Sequence, residues 1–401
     1  MTIELLLFAF IGMALGMVAG IVPGLHVNTI ALMMLGLSAF IGPLPLAVAV
    51  IAMAISTTFF DFVPSTLLGA PDPSTALSVL PGHRMLMEGR GIEAIYLTML
   101  GGLCSMVLIA LLFPLALVLI PSFYGMVQGY IMRLLIGMSV FCIITEHGLK
   151  PKAWSAAVLM LSGGLGFIAL NSFAFSDALF PMFTGLFGTS ALLFSLKDNS
   201  RIPVQKLRPR PPHRRMLLSG VFKGLFSGAL VGTLPAMGAA QASMLTQHMT
   251  GGGADKEKEY LISMGAINAV VALFSLVSLY TIAKARSGTA VVVGSLIPNL
   301  GMPELLMMLG VALLSAGVSA LLLMRTARWF ARSISGISYP LLSKILLVFL
   351  IVMVLVLAGL PGLLLLAVST AIGLLAPLSG IKRSTAMGCL MIPLIFFYAG
   401  V

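Results

Sequence analysis

The sequence predicts an all-α, polytopic integral membrane protein with two structurally repeated, inverted halves and about 10–12 membrane segments, several of them broken or re-entrant. The first observation behind this prediction is composition. Of 401 residues, 59% are hydrophobic and 9% are charged, whereas a soluble domain carries roughly 25% charged residues. The second is that no Asp, Glu, Lys or Arg lies between Glu4 and Asp61 or between Lys344 and Lys382. The third is a matched pair of Gly-Pro elements.

The uncharged runs place the membrane segments. A helix needs about 20 apolar residues to cross a bilayer, so the longest runs hold two spans each. The apolar segments predicted in the first half are 5–22, 27–42, 45–60, 94–120, 126–145, 153–170 and 178–196. Those predicted in the second half are 217–234, 237–249, 261–283, 305–324, 340–358, 361–378 and 384–400. The first two segments form either one hairpin or one broken unit.

Three further features exclude other classes of protein. The first charge in the chain is Glu4 and no basic n-region precedes it, so we expect a retained first span rather than a cleaved signal peptide. Cys104, Cys142 and Cys389 each lie in an apolar run, and their spacing fits neither a disulfide nor a metal framework. The formal net charge of +11 reflects the basic cytoplasmic loops of membrane proteins and does not indicate a nucleic-acid partner.

A basic, proline-rich segment divides the chain. Seven basic residues and four prolines lie between Lys197 and Arg215, and the prolines prevent a helix. We therefore predict a first transmembrane repeat over 1–196, a basic cytoplasmic linker over 197–216 and a second repeat over 217–401. The basic residues signal topology, and binding of lipid headgroups is the alternative reading.

The matched Gly-Pro elements lie near the start of each half. Gly16–Pro23 and Gly228–Pro235 share the pattern G-x-x-x-G-x-x-P, 212 residues apart. A proline flanked by glycines interrupts a helix, because it removes a backbone donor while glycine relaxes the chain. Broken apolar helices at corresponding positions of two halves indicate the binding site of a transporter.

Hydroxyl-bearing loops follow the breaks in both halves. Residues 62–82 are rich in Pro, Gly, Ser and Thr, although the segment stays fairly apolar. Their counterpart is 280–290, and the hydroxyl groups recur as Ser74-Thr75-Ala76 and Ser287-Gly288-Thr289-Ala290. Irregular backbone at membrane depth survives only where it is buried in protein or lines a watery cavity.

At these residues the sequence resembles the large membrane subunit of tripartite tricarboxylate transporters, the TctA family. Residues 81–91 are similar to that family's D-G-[YF]-x-[ML]-x-x-x-G-[RQ]-A segment, and residues 70–76 occupy its preceding P-G-x-x-[SA] loop. Pro23–His26 and Pro235–Gly238 resemble its paired P-G-x-G elements. The chain departs from the pattern in its shorter length, in Ala236 for Gly, and in residues 283–288, which replace a G-[IV]-P-G-S element.

The resemblance implies a permease for a di- or tricarboxylate in the plasma membrane. It also implies two partners, a small membrane subunit and an extracytoplasmic binding protein that delivers the carboxylate, although a divergent member could work without them. We expect no cofactor beyond Na⁺ or H⁺ as a coupling ion. Whether the protein forms a homo-oligomer is left open.

The residues themselves indicate how an anion would bind. The half-helices after the two breaks begin near Val27 and Ala239, and a helix N-terminus offers unpaired N–H groups and about half a positive charge. Two such ends facing each other would seat a carboxylate or phosphate. The predicted substrate-binding residues are Pro23, Gly24, Asn28, Thr29, Ser74, Thr75, Pro235, Gly238, Gln241, Asn268, Arg286, Ser287 and Thr289. The alternatives are that the polar groups only cap helices and that Arg286, with Lys284, snorkels outward.

A cation site is predicted in the first half. Asp61 follows Ser56 and Thr57 in an apolar run, and an ionisable group at membrane depth is by default functional. These three residues would bind Na⁺ or carry a proton, unless Asp61 lies at the membrane edge. Asn268 matches Ser56 at the offset of 212.

The pattern favours a secondary transporter for a small organic anion that works by alternating access. A carrier of an anionic lipid, such as a polyprenyl phosphate, would use the same anion site. An intramembrane enzyme is less favoured, because the chain has no HExxH, GxSxG or paired membrane aspartates.

Overall fold

Helices make up all the regular secondary structure that the computed structural model describes. The described residues are 3–22, 27–69, 75–172, 178–196, 202–233, 239–250, 253–334 and 339–400. Within them, seven helical stretches are long and apolar enough to cross a membrane, and three shorter apolar helices accompany them. The prediction of an all-α polytopic membrane protein is confirmed. The inverted relation of the halves stays a prediction.

In the described residues of the predicted first half there are ten α-helices. They are α1 (Ile3–Ile21), α2 (Val27–Gly36), α3 (Pro43–Phe60), α4 (Phe62–Leu67), α5 (Val79–Met87), α6 (Gly91–Val127), α7 (Ile131–Ile144), α8 (Leu149–Asn171), α9 (Leu179–Phe183) and α10 (Ser190–Ser195). A π-helical stretch over Thr184–Thr189 joins the last two.

The described part of the second half contributes seven more. They are α11 (Arg214–Thr233), α12 (Ala239–Thr250), α13 (Ala254–Ile282), α14 (Gly288–Leu296), α15 (Met302–Ile334), α16 (Tyr339–Ser379) and α17 (Gly388–Ala399). The predicted segments 340–358 and 361–378 fall together in α16. They meet at Gly359, whose φ of 64° breaks the helical geometry, and a positive φ is one that glycine adopts without a Cβ clash.

Close packing divides the chain into two units, and neither is continuous in sequence. The first comprises Met1–Leu67, Ser78–Gly125 and Pro203–Ser335. The second comprises Leu68–Leu77, Met126–Ile202 and Gly336–Val401. Each unit therefore takes helices from both predicted repeats. The predicted boundaries at 196 and 217 concern an internal repeat, which compactness does not test, and they stay a prediction.

Two long helical stretches form the core of the first unit. In the most apolar part of the α3–α4 stretch 94% of the residues are buried, and in that of α13 the share is 83%, whereas α1 reaches 39%. A helix that is apolar all round and enclosed on all sides is a core helix. Polar side chains on α3 and α13 therefore face protein rather than lipid, which is where polar groups at membrane depth are tolerated.

The same glycine packing occurs at matched positions of both halves. A Cβ on Gly16 of α1 would lie 2.7 Å from the Ser56 Cβ of α3, and one on Gly228 of α11 would lie 2.9 Å from the Val270 Cβ of α13. Neither glycine could carry a side chain without moving the helix it faces. Small residues allow this close approach of helices in lipid, so the glycines of both G-x-x-x-G elements pack the core helices.

The second unit is held by its own close helix contacts. A Cβ on Gly388 of α17 would meet the Ser162 Oγ of α8 at 2.7 Å. The hydroxyls of Thr189, in the π-helical stretch, and Thr370 of α16 lie 2.5 Å apart.

Candidate functional site

The strongest candidate site lies at the break between α13 and α14 in the first unit. Helix α13 ends at Ile282, and the next residue, Ala283, has a left-handed φ of 51° and ψ of 30°. Among the described residues Ala283 is the one non-glycine residue with a positive φ. Four residues later Ser287 caps α14, and its side chain accepts a hydrogen bond from Ala290 N at 3.2 Å. A serine cap satisfies one of the free N–H groups that begin a helix.

A cluster of hydroxyls surrounds this cap. Ser275 of α13 donates to the Ser287 Oγ at 2.9 Å and accepts from the backbone N–H of Arg286 at 3.1 Å. The hydroxyls of Ser287 and Thr289 lie 3.0 Å apart. The cluster ties the start of α14 to the penultimate turns of α13, so the break has a fixed geometry.

Asn28 brings the first half of the chain to the same place. It lies in the first turn of α2, and a Cβ on Gly288 would lie 2.5 Å from its Cγ and 2.9 Å from its Nδ2. The Asn28 amide therefore rests on the backbone of the first residue of α14, and only glycine leaves room for it. The predicted residues Asn28, Ser287 and Thr289 are neighbours in the structure.

Arg286 places a positive charge at the break. Its Cζ lies 4.7 Å from the centre of the Tyr124 ring of α6, and its Nε and Nη2 are buried without a hydrogen-bond partner in the described part of the chain. Lys284 is exposed, and its Nζ donates to the Tyr124 hydroxyl at 3.0 Å. Both cations lie against one aromatic ring, which attracts cations through its face. The ring holds Arg286 at the break with two donors unused.

Together these residues form what we call the α14 site, which consists of Asn28, Ser275, Arg286, Ser287 and Thr289. It combines a guanidinium, an amide, hydroxyls and the positive end of a helix dipole. Such a set can donate several hydrogen bonds to an anion in surroundings of low dielectric, where each bond is strengthened.

Ser56 and Thr57 use their hydroxyls to join α3 to α1. Ser56 donates to the Met13 carbonyl at 2.9 Å, and Thr57 donates to the carbonyls of Gly16 at 3.2 Å and Met53 at 2.9 Å. A hydroxyl that donates keeps lone pairs that a cation could use. The bonds give both residues a packing role, and their predicted role in cation coupling remains a prediction.

Asp61 lies between α3 and α4 within an almost continuous helical stretch. It is 8% exposed, and a Cβ on Gly20 of α1 would lie 3.1 Å from its Oδ1. Its backbone N–H bonds the Thr57 carbonyl at 3.0 Å. The carboxylate is therefore enclosed by the core helices beside the first Gly-Pro element.

Asn268 and Gln241 are almost completely buried on the second-half helices. Asn268 of α13 is 3% exposed, and neither its Oδ1 nor its Nδ2 has a hydrogen-bond partner within the described ranges. It lies seven residues before Ser275, so the two share one face of α13 about 10 Å apart along the axis. Gln241 of α12 is 1% exposed.

Several predicted residues cannot be placed in the site. Pro23, Gly24, Ser74, Pro235 and Gly238 lie outside the described residues, as does the side chain of Thr29. Thr75 is buried and belongs to the second unit, so it is not counted among the residues of the α14 site, which belong to the first.

The sequence reasoning missed Ser275 of the α14 site and Tyr124, whose ring contacts Arg286. Ser275 could have been found from its spacing, since it lies two helical turns after Asn268 on one face. Tyr124 gives no such signal, because its contact with Arg286 joins residues 162 positions apart.

These features define a multi-pass membrane protein with an electropositive break between two helices of its first unit. Residues 6–388 match the Tripartite tricarboxylate transporter TctA family, and the chain belongs to that family. This is a family of transporters and not of enzymes. The chain is 28% identical over 403 residues to an uncharacterized protein of Methanocaldococcus jannaschii, with 98% of each chain covered. No solved structure matches the chain.

Proposed function

We propose that this transporter carries a small organic anion, a di- or tricarboxylate, in symport with Na⁺ or H⁺ and by alternating access. The site proposed for the anion is the α14 site. Family membership supports transport as such, and the chemistry of the site supports the anion.

The observation that carries the proposal is the free edge of Arg286. The two nitrogens without a partner, Nε and Nη2, present parallel N–H groups along one side of the guanidinium. A carboxylate accepts two such bonds at once, which is the strongest and most directional pairing that arginine makes. An inorganic cation would leave both donors unsatisfied, and a neutral solute could accept from them but would not neutralise the charge of the guanidinium.

The neighbouring groups suit an anion with more than one carboxylate. Thr289 lies on the far side of Ser287 from Arg286 in sequence, in the first turn of α14, and the Asn28 amide of α2 rests on Gly288 beside it. Amide, hydroxyl and first-turn N–H donors there could bind a second carboxylate or a hydroxyl of the substrate.

The coupling cation is proposed to bind near Asp61. A buried carboxylate with two hydroxyl groups nearby on α3 supplies the oxygen ligands that Na⁺ requires, and the same carboxylate could carry H⁺ instead. Movement of positive charge with the substrate would offset the charge of a polyanion that enters the cell.

We also propose the setting in which the protein works. The family is that of tripartite systems, so a small membrane subunit and an extracytoplasmic binding protein are the proposed partners, and the plasma membrane is the proposed location. A homo-oligomer is compatible with this arrangement.

Uptake by purified protein tests the proposal. Proteoliposomes are given radiolabelled citrate or succinate with no gradient, a Na⁺ gradient or a pH gradient, with and without the two proposed partner proteins. We expect accumulation that depends on one of the gradients. Binding of the same anions to detergent-purified protein is measured in parallel, so that a need for partners is distinguished from a wrong substrate.

The variant Arg286→Lys tests the site. Lysine keeps the charge but loses the paired edge, so the KM for the anion should rise by about tenfold or more. Arg133→Lys is the matched control, because Arg133 also lies over a tyrosine ring, that of Tyr130, at 5.2 Å. Equal KM values for the two variants would contradict the proposed role of Arg286, and a lack of binding of any carboxylate would overturn the substrate class.

A further inference from the structure

Residues 203–210 of the basic segment are fixed to the first unit rather than lying apart from it. We call these residues the strap. The buried Gln205 side chain accepts from Gly91 N at 2.9 Å, and Lys206 N donates to the Gly89 carbonyl at 2.9 Å. These bonds hold the strap across the start of α6.

The strap directs its charges to one side. Its backbone is not helical, and three basic residues alternate with less exposed ones. Lys206, Arg208 and Arg210 are exposed, whereas Gln205 is buried and Leu207 is partly buried. All three exposed cations line one pocket, so they project together.

The three cations meet two more at a pocket of about 160 Å³. The residues that line it are Arg90, Glu93, Lys206, Arg208, Arg210 and Lys258. Glu93 is already paired with Arg90 at 2.7 Å and with Lys258 at 3.4 Å. Among the described residues no carboxylate lies within ion-pair distance of Lys206, Arg208 or Arg210. The pocket therefore has an excess of positive charge that the chain does not neutralise.

The pocket lies beside the starts of two uncharged helical runs. The uncharged run of α6 begins directly after Glu93, and that of α13 begins directly after Glu259. Val204 of the strap is 81% exposed and Trp329 of α15 is 64% exposed. The strap is tied to α15 beside this tryptophan, since Arg328 Nε donates to the Leu207 carbonyl at 3.3 Å. Exposed tryptophan is typical of the headgroup layer.

From these observations we propose that the pocket binds a phosphate group, supplied by the headgroup of an anionic membrane lipid. Arginine guanidinium groups and lysine ammonium groups are the side chains that bind phosphate. The uncharged helical runs that begin beside the pocket, together with the exposed apolar residues near it, favour a lipid over free phosphate as the source. The site is separate from the α14 site and does not depend on the transported substrate.

Binding to detergent-purified protein tests the inference. The probes are dioctanoyl phosphatidic acid, dioctanoyl phosphatidylcholine as a zwitterionic control, and inorganic phosphate, with adducts counted by native mass spectrometry and the Kd obtained by titration. The test variant is Arg208→Gln with Arg210→Gln. The matched control is Arg214→Gln with Arg215→Gln, two exposed arginines that do not line the pocket.

We expect the wild type to bind phosphatidic acid more tightly than phosphatidylcholine. The pocket variant should bind it about thirtyfold more weakly, because it lacks two surface cations that each contribute roughly 1 kcal/mol to binding an anionic headgroup, and 1.4 kcal/mol is a factor of ten. The control variant should bind as the wild type does. If inorganic phosphate binds as tightly as the lipid and shows the same loss, the phosphate site stands with free phosphate as its source. Equal loss in both variants, or no binding of either phosphate probe, would overturn the inference.

Discussion

Asn268 holds an amide at the centre of a core helix where neither polar atom is bonded within the described residues. An unsatisfied buried polar group destabilises a protein by about 1–3 kcal/mol. An apolar residue of the same size would remove this cost, so the amide is best explained by a ligand or a coupled motion that uses it. Two nitrogens of Arg286, Nε and Nη2, are likewise buried without a hydrogen-bond partner within the described residues, and they belong to a charged group.

Replacing Asn268 with leucine should therefore stabilise the protein and impair transport. The gain should be about 1–3 kcal/mol in unfolding free energy, because a buried unpaired amide is replaced by an apolar group of similar volume. Thermal unfolding in detergent and uptake in proteoliposomes measure the two effects. Asn171→Leu, at an exposed position where the amide bonds the Phe167 carbonyl, is the control and should give no gain. Normal transport by the Asn268 variant would show that the Asn268 amide takes no part in transport.

His83 should make stability depend on pH. It lies in α5, outside the candidate spans, and burial lowers its pKa from 6.5 to about 4. The unfolded chain therefore binds more protons than the folded protein between these values, and stability falls as pH drops below 6.5. At pH 5 the loss should be on the order of 2 kcal/mol.

Thermal unfolding of wild type and His83→Gln between pH 7.5 and 4.5 measures this dependence. The variant should lose less stability than the wild type over that interval. Parallel curves would show that His83 does not titrate as its burial implies.

Sequence reasoning reached some residues of the α14 site and not others. Ser287 and Thr289 could be found because hydroxyls after an apolar run are unusual at membrane depth, and Asn28 because it follows a helix break. The contact of Asn28 with Gly288 could not be predicted, because it depends on how α2 and α14 pack. Tyr124 was missed for the same reason.

At the scale of helices, most of the spans could be predicted because the absence of charge is a strong signal. The predicted segment 153–170 lies within α8, and all of 261–283 except its last residue lies within α13. The short helix α14 was not predicted, although its N-terminus forms part of the α14 site. It has nine residues and follows two basic residues, so neither length nor hydropathy marks it. Its serine cap was the available signal.

The break before α14 should be strained at Ala283. A left-handed conformation costs a residue with a Cβ roughly 1 kcal/mol, and glycine is free of that cost. Ala283→Gly should therefore raise the unfolding free energy slightly, by less than about 1 kcal/mol because glycine also gains entropy when unfolded.

The matched control is Ala290→Gly, inside α14 at a position 2% exposed. This change should destabilise the protein by about 1 kcal/mol, as glycine does in a helix interior. Thermal unfolding of both variants in detergent gives the comparison. A loss of stability in the Ala283 variant as large as that in the Ala290 variant would mean that the break carries no strain.

At the scale of the whole molecule, the chain forms two units that each draw on both predicted halves. No local pattern in the sequence could reveal this, because it depends on which distant helices pack together. In the first unit α3 packs against α1 as well as against α14 and α15. The core helices of one half are therefore covered by helices of the other.

Cutting the chain within residues 197–201 should test this interdependence. Either half expressed alone leaves a core helix without part of its cover, so we expect each to be degraded or to aggregate in detergent. The two halves expressed together should purify as one complex. Size-exclusion chromatography after affinity capture of one half measures this, and a stable single half would contradict the shared core.

The enclosed position of Asp61 also sets a condition on biosynthesis. The α3–α4 stretch that holds it leaves the ribosome more than 200 residues before α14 and α15, which later cover α3. During that interval the translocon or a membrane chaperone must shield a carboxylate that costs roughly 2.5–3.5 kcal/mol at the bilayer centre.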